Sequence, residues 1–278
     1  MTKEELKTKK VSAISLGCDK NRVDLEKMLF LLSNYGFKIV EDVQDADIVI
    51  VNTCAFILPA KKEAIQTIIE MEALKTSGRI EKLIVAGCLP QRHFKEIQAA
   101  FKNVDRFVKL EENKNIVNIV ESLYNVPSAK CGDYYDKILT TYSGYAYLKI
   151  ADGCNNVCSF CTIPRIRGNY KSVDMDELVS EAKLLVGKGV KEIILVAQDT
   201  TRYGIDKYGK PMLIELCKKL IKIKNLQWIR IHYAYPEMIT DELLQFISSQ
   251  PKMCKYLDIP LQHIDNEILK SMRRRGDE

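Results

Sequence analysis

The chain has 278 residues, 46% hydrophobic and 28% charged, with 42 Lys plus Arg against 37 Asp plus Glu for a formal net charge of +5. That composition supports a folded core, excludes a disordered charged tail, and suits one or two domains. The mildly basic balance permits a nucleic-acid or ribosomal partner without requiring one. Nine cysteines, an odd number, exclude a fully paired set of intrachain disulfides. Residues 1–10 are charged and lack the apolar stretch of a secretory leader, and no apolar run approaches the length of a membrane span. These features predict a cytoplasmic protein with no membrane association. Its thiols should stay reduced, which directs attention to metal binding or catalysis.

In chain order, residues 11–16 read as a short strand ending at Gly17-Cys18. Residues 23–35 have helical spacing, with Val23, Met28, Leu31, Leu32 and Tyr35 apolar and Gly36 placed as a C-cap. Residues 46–51 form a β-branched run of the kind buried on both faces of a sheet. Pro59 suits the first turn of a helix that stops near Gly78. A strand at 83–86 again ends in a Gly-Cys pair, Gly87-Cys88. A helix from about residue 91, a strand at 104–108 and a helix at 113–124 complete the alternation. Repeated βα units predict an α/β domain over 1–125, a doubly wound parallel sheet with helices on both faces. Residues 126–143, with Pro127, Ser128, Gly132 and Ser143, read as a linker with some strand character at 138–141. Strands at 145–150, 192–197, 228–233 and 256–259 then alternate with helices at 174–187, 212–221, 241–248 and 266–273. They predict a second α/β domain over 144–278.

Cys154, Cys158 and Cys161 follow the first strand of that second domain in a C-x3-C-x2-C spacing. Three close thiolates on one loop can hold three irons of a cubane cluster and leave the fourth open to a cofactor or substrate. Phe160 stands beside the last of them. The alternative is zinc, which in structural sites takes four ligands. His93, His232 and His263 are all distant in sequence. A second set, Cys18, Cys54 and Cys88, is dispersed, yet each lies just past the C-terminal end of a predicted strand. In a parallel sheet those ends share the edge where open α/β folds bind ligands. Gly17 and Gly87 fit tight turns beside two of them. The alternative is three small buried hydrophobes.

The cysteine loop resembles the signature of the radical S-adenosylmethionine enzymes. The resemblance implies a partial (β/α) barrel with the cluster loop at its C-terminal mouth, in keeping with where barrels collect ligands. It also implies that S-adenosylmethionine chelates the open iron and yields a 5′-deoxyadenosyl radical on reduction. Two three-cysteine sets on one chain resemble the methylthiotransferase family within that group. The matching segments are Ser15-Leu16-Gly17-Cys18-Asp19-Lys20-Asn21, Asn52-Thr53-Cys54-Ala55-Phe56-Ile57 and Cys161-Thr162-Ile163-Pro164-Arg165-Ile166-Arg167-Gly168. Gln198-Asp199-Thr200-Thr201-Arg202-Tyr203-Gly204 and Pro260-Leu261-Gln262-His263-Ile264 favour the branch that modifies a ribosomal protein over the one that modifies tRNA. Asp19 and Ala55 depart from the usual Pro and Gly of that branch and remove no ligand.

The resemblance implies two 4Fe–4S clusters, held by Cys18, Cys54 and Cys88 and by Cys154, Cys158 and Cys161. One S-adenosylmethionine would methylate a sulfur on the first cluster, and a second would be cleaved at the other. The substrate would be the β-carbon of an aspartate in the twelfth small-subunit ribosomal protein, with an external electron donor as partner; a tRNA adenosine is the alternative substrate. A non-catalytic iron–sulfur module is the alternative from another class. Gln198 and Asp199, at the end of the second barrel strand, and His263, after the fourth, are candidate contacts to S-adenosylmethionine or substrate. Ordinary loop anchoring is their other reading. Arg165, Arg167 and Lys171 could offset cluster charge, bind a carboxylate or form a solvated surface. Cys131, Cys217 and Cys254 lack ligand spacing and read as structural, Cys254 just ahead of a strand. The Arg273–Arg275 run is too short to support direct RNA binding. Six barrel units need roughly 190 residues, more than follow Ser143, and the family adds a small C-terminal TRAM barrel. The expectation is therefore a truncated second domain.

Overall fold

The computed structural model describes residues 1–127 and 136–274. Cys131 lies outside the described residues. The chain divides into two compact units, Met1–Thr140 and Thr141–Glu278.

The first unit contains α1 (Lys3–Lys7), β1 (Lys10–Ser15), α2 (Asp19–Tyr35), β2 (Lys38–Ile39), β3 (Ile48–Thr53), α3 (Leu58–Thr76), β4 (Lys82–Gly87), α4 (Cys88–Ala100), β5 (Arg106–Val108) and α5 (Ile116–Leu123). Its five strands run parallel in the order β2-β1-β3-β4-β5. Residue alternation in β3 divides the apolar content between two faces. Ile48 and Ile50 join Val11, Ile84 and Val108 in one core with Leu25, Met28 and Leu32 of α2 and Ile116 and Val120 of α5. Val49, Val51, Leu83 and Val85 are fully buried on the other face, where α3 and α4 lie against β3 and β4. Burying each such side chain contributes about 1.5–3 kcal/mol, which makes this sheet the organising element of the unit.

Three local features depart from the sequence expectation. The charged N-terminus folds into α1 because Thr2 and Glu5 form a capping box and Leu6 is buried. Helix α4 starts at Cys88, ahead of the expected residue 91. Pro90 falls in its first turn, where a missing N–H costs no helical hydrogen bond. The expected strand character at 138–141 is absent. There the Ile138 N–H donates to the Glu26 carbonyl (3.2 Å), and the Thr140 N–H and hydroxyl donate to the Glu26 carboxylate (2.9 and 3.0 Å). Lys137 and Glu26 form a fully buried ion pair at 3.4 Å. This tertiary anchor to α2 replaces any sheet pairing.

The second unit contains β6 (Tyr145–Lys149), β7 (Ala151–Asp152), α6 (Ile163–Arg167), β8 (Lys171–Ser172), α7 (Met175–Gly187), β9 (Glu192–Val196), α8 (Ile205–Tyr208), α9 (Leu213–Leu220), β10 (Trp228–Ile231), α10 (Asp241–Ser249), β11 (Met253–Leu257) and α11 (Asn266–Ser271). The main sheet is parallel in the order β11-β10-β9-β6, the arrangement of a partial (β/α) barrel, and β7 and β8 form a small antiparallel pair. Asp174, Thr240 and Asp265 cap α7, α10 and α11 by accepting backbone N–H bonds. Strand β11 begins three residues earlier than expected, so Cys254 lies within it rather than ahead of it. Lys255 masks the strand signal in the sequence. Its ammonium folds back onto the Ile247 and Gln250 carbonyls at the end of α10, which lets a cation stand in the strand. Cys217 is fully buried in α9, and burial alone pushes its thiol up to about 12. No helix among the described residues is long and apolar enough to cross a membrane.

Candidate metal centres

In the first unit, β1, β3 and β4 are adjacent and in register, with Ser15 opposite Asn52 and Thr53 opposite Gly87. Cys18, Cys54 and Cys88 each follow the end of one of these strands, so the parallel sheet delivers all three to one edge. The loops are tied directly to one another. The Asn21 amide donates to the carbonyls of Leu16 (2.8 Å), Asn52 (3.3 Å) and Thr53 (3.3 Å), and the Asn52 amide donates to the Asn21 carbonyl (2.7 Å). Thr53 donates to the Ala86 carbonyl (2.6 Å) and accepts from the Leu89 N–H (3.3 Å). Arg92 donates to the carbonyl of Ala55, next to Cys54 (2.8 Å).

Gly17 shows how closely the loops approach. Its φ is +88°, and a Cβ there would fall 2.5 Å from Cys54 Cβ and 3.0 Å from its sulfur. Only glycine leaves that space beside the thiol. Cys18 is the N-cap of α2 and Cys88 the first residue of α4. Both cysteines thus stand at helix N-termini.

In the second unit, Cys154, Cys158 and Cys161 occupy the loop between β7 and α6. Cys154 and Cys158 are buried and Cys161 is half-buried. The loop is shaped by backbone contacts. Cys154 N–H donates to the Gly168 carbonyl, and Cys161 N–H to the Cys158 carbonyl, both at 3.1 Å. Gly153 has φ +75°, and a Cβ there would collide with the Asn169 carbonyl at 2.1 Å. The Asn156 and Ile163 N–H groups donate to the sulfurs of Cys154 (3.4 Å) and Cys161 (3.5 Å). Burial pushes both of those thiols up, and the N–H donors oppose that rise. The remaining thiols of the loop also raise Cys154, which places the sulfurs within electrostatic reach of one another.

Several buried polar atoms of this unit lack a protein hydrogen-bond partner: Asn156 Nδ2 and Thr162 Oγ1 in the loop, both amide atoms of Gln198, Glu237 Oε2 and Arg274 Nε. Buried polar groups are ordinarily satisfied, so this concentration fits a polar group bound at the strand ends. Both thiol sets thus have the donor chemistry a cluster requires. Among the described residues no three His, Cys, Asp or Glu side chains close around a single ion.

The other expected residues fall in different settings. Gln198 and Asp199 follow β9. Asp199 is fully buried; it accepts from the Thr201 hydroxyl (2.5 Å) and faces Arg202 Nε (3.3 Å). Burial raises its carboxyl, and Thr201 and Arg202 pull the other way. Thr200 joins the ends of β9 and β10 through the His232 carbonyl (2.8 Å), and Tyr233, at φ +59°, reaches Asp258 (2.6 Å). His263 is exposed, and its Nδ1 accepts the Asp265 N–H (2.9 Å). Arg167 is not a solvated charge: its guanidinium is buried against Asp152 (2.9 Å). Arg165 and Lys171 are exposed. Sequence gives Tyr235 no role and reads Arg274 only as part of the short Arg273–Arg275 basic run. Neither carries a motif, and only the fold stacks the Arg274 guanidinium 4.2 Å from the Tyr235 ring centroid.

Comparison with known proteins agrees with this architecture. Residues 148–278 match the Radical SAM superfamily, and residues 10–109 match the uncharacterized protein family UPF0004. The chain is similar to the ribosomal protein uS12 methylthiotransferase RimO of Elusimicrobium minutum, at 49% identity over 97% of this chain and 63% of that protein. It is also similar to the protein of the same name from Alkaliphilus oremlandii, at 46% identity over 96% of this chain and 61% of that protein. It spans less than two thirds of the length of both. Among solved structures, the radical S-adenosylmethionine methyltransferase TsrM of Kitasatospora setae, with cobalamin and a 4Fe–4S cluster bound, has TM-score 0.66 at 12% identity, covering 98% of this chain and 64% of that one. The cobalamin-dependent radical enzyme OxsB has TM-score 0.63 at 12% identity, covering 99% of this chain and 46% of that one. At those identities the likeness concerns the fold. The second unit is thus a radical S-adenosylmethionine domain. A UPF0004 domain precedes it, and over both domains the chain is similar to the RimO methylthiotransferases.

Proposed function

We propose that this chain is the cluster-bearing part of a methylthiotransferase acting on the β-carbon of an aspartate in ribosomal protein uS12. The observation that carries the reading is the presence of two separate three-thiol sites on one chain. Each supplies three protein donors and so leaves a coordination position for a further ligand. When bound, the clusters and S-adenosylmethionine supply the one-electron chemistry for breaking an unactivated C–H bond, which no side chain can do alone.

The chain's own residues hold and orient these groups. Cys154, Cys158 and Cys161 would hold one cluster, and Cys18, Cys54 and Cys88 the other. The Asn156 and Ile163 N–H groups would take up charge at sulfur as the thiols ionise. Gln198 offers an unpartnered amide, and Asp199 a carboxylate oriented by Thr201, to the polar end of S-adenosylmethionine. Exposed His263 is the candidate contact on the β11 side. Reduced thiols fit a cytoplasmic location and an external one-electron donor.

The test is anaerobic reconstitution with iron and sulfide. S-adenosylmethionine, a reductant and uS12 follow, with mass spectrometry of the protein product and of tRNA assayed in parallel. One methylthio group on the uS12 aspartate is the expected result. Modification of tRNA instead, or zinc in place of both clusters, would overturn the reading.

A further inference from the structure

Arg274 is 93% buried, given its 7% relative exposure. Its Nη2 donates to the Pro260 carbonyl (2.8 Å), while its Nε is buried without a hydrogen-bond partner. Among the described residues it makes no ion pair. A guanidinium held away from water normally requires an anion or a full set of acceptors, and this one lacks both.

The segment leading to Arg274 is fastened to the cysteine loop. Ser159, between Cys158 and Cys161, donates its N–H to the Met272 carbonyl (3.0 Å) and its hydroxyl to the Ser271 carbonyl (3.2 Å). Arg273 between them takes a left-handed φ of +54°, a conformation unusual for a non-glycine residue. Tyr235, which carries the guanidinium on its ring, belongs to the same electrostatic neighbourhood. Its phenol is pushed up to about 12, first by burial and then by the Cys154 and Cys158 thiols, with Arg274 opposing. The other cations near the loop are committed or distant from it in exposure: Arg167 is paired with Asp152, and Arg165 is exposed.

We propose that Arg274, held on the Tyr235 ring, is a positioning residue that supplies the buried positive charge for the Cys154/Cys158/Cys161 site and raises the reduction potential of its cluster. The inference rests on the reading of that site as a cluster site. A cluster held by thiolates becomes more negative by one charge on reduction. A fixed cation in a low-dielectric setting therefore stabilises the reduced form more than the oxidised one. Removing the cation lowers the potential.

The test uses the full chain carrying Cys18→Ala, Cys54→Ala and Cys88→Ala, so that one cluster reports, with EPR-monitored redox titration. Arg274→Met should lower the reduced-to-oxidised ratio at a given potential about tenfold, a fall of about 59 mV for one electron. Arg274→Lys should restore most of the ratio. Tyr235→Leu, which keeps the charge and removes its support, should move the potential in the same direction by less. Potentials of Arg274→Met and Tyr235→Leu within twofold of the parent ratio would overturn the inference. Failure of the parent chain to bind any cluster would instead overturn the reading of the site.

Discussion

The two units place their three candidate ligand cysteines in opposite ways. In the second unit the thiols come from one short loop. Its shape is local: turns at Gly153 and Gly168 and N–H bonds to sulfur. In the first unit they come from three separate strand ends, and neighbouring parallel strands bring them together. The loop site depends on backbone turns, whereas the strand-end site depends on the whole sheet and on the Asn21, Asn52, Thr53 and Arg92 ties between its loops. A site of the second kind is coupled to the global stability of its domain, because no subset of its residues holds the geometry alone.

That difference can be broken most directly at the thiols. Cys154→Ala/Cys158→Ala/Cys161→Ala should remove roughly half of the reconstituted iron, about four atoms per chain, and the equivalent triple at Cys18, Cys54 and Cys88 the other half. Iron and sulfide analysis checks this; loss of all iron in either triple would show that the sites are not independent. A smaller effect is expected remote from either site. Lys137→Met leaves the fully buried Glu26 carboxylate without its cation, and should cost the first unit about 3–5 kcal/mol. Hydrogen exchange of α2 amides reads that loss, while iron at the loop site should be unchanged.

The smallest effects come from single glycines. Gly17→Ala combines a left-handed φ with a 2.5 Å approach to Cys54. It should cost about 1–3 kcal/mol and lower iron retention at the strand-end site alone. Gly168→Ala, at φ +72° and ψ −160° in the turn whose carbonyl accepts the Cys154 N–H, should cost about 1–3 kcal/mol and lower iron retention at the loop site alone. Thermal melts beside iron analysis separate the two outcomes.

Much of this was legible before the structure. The βα alternation, the β-branched run that became β3 and the C-x3-C-x2-C spacing all follow short-range rules, and the observed elements fall within a few residues of those expectations. The errors have specific causes. Pro90 resembles a helix breaker but sits in a first turn. Lys255 resembles a break in a strand but reaches back to the end of α10. The 138–141 segment has strand character but is held to α2 through Glu26. In the last case a partner distant in sequence decided the outcome.

The sequence by itself determined the parallel α/β class, the second-domain cysteine loop and the candidate ligands, because periodicity and short spacings are properties of neighbouring residues. Only the tertiary structure decided that the Gly17 turn closes against Cys54. The same holds for the neutralisation of Arg167 by Asp152, and for the stacking of buried Arg274 on Tyr235 with a donor left over. These are meetings of residues from separate elements of the fold. Their energies come from burial and charge, quantities that exist only once the chain has excluded water.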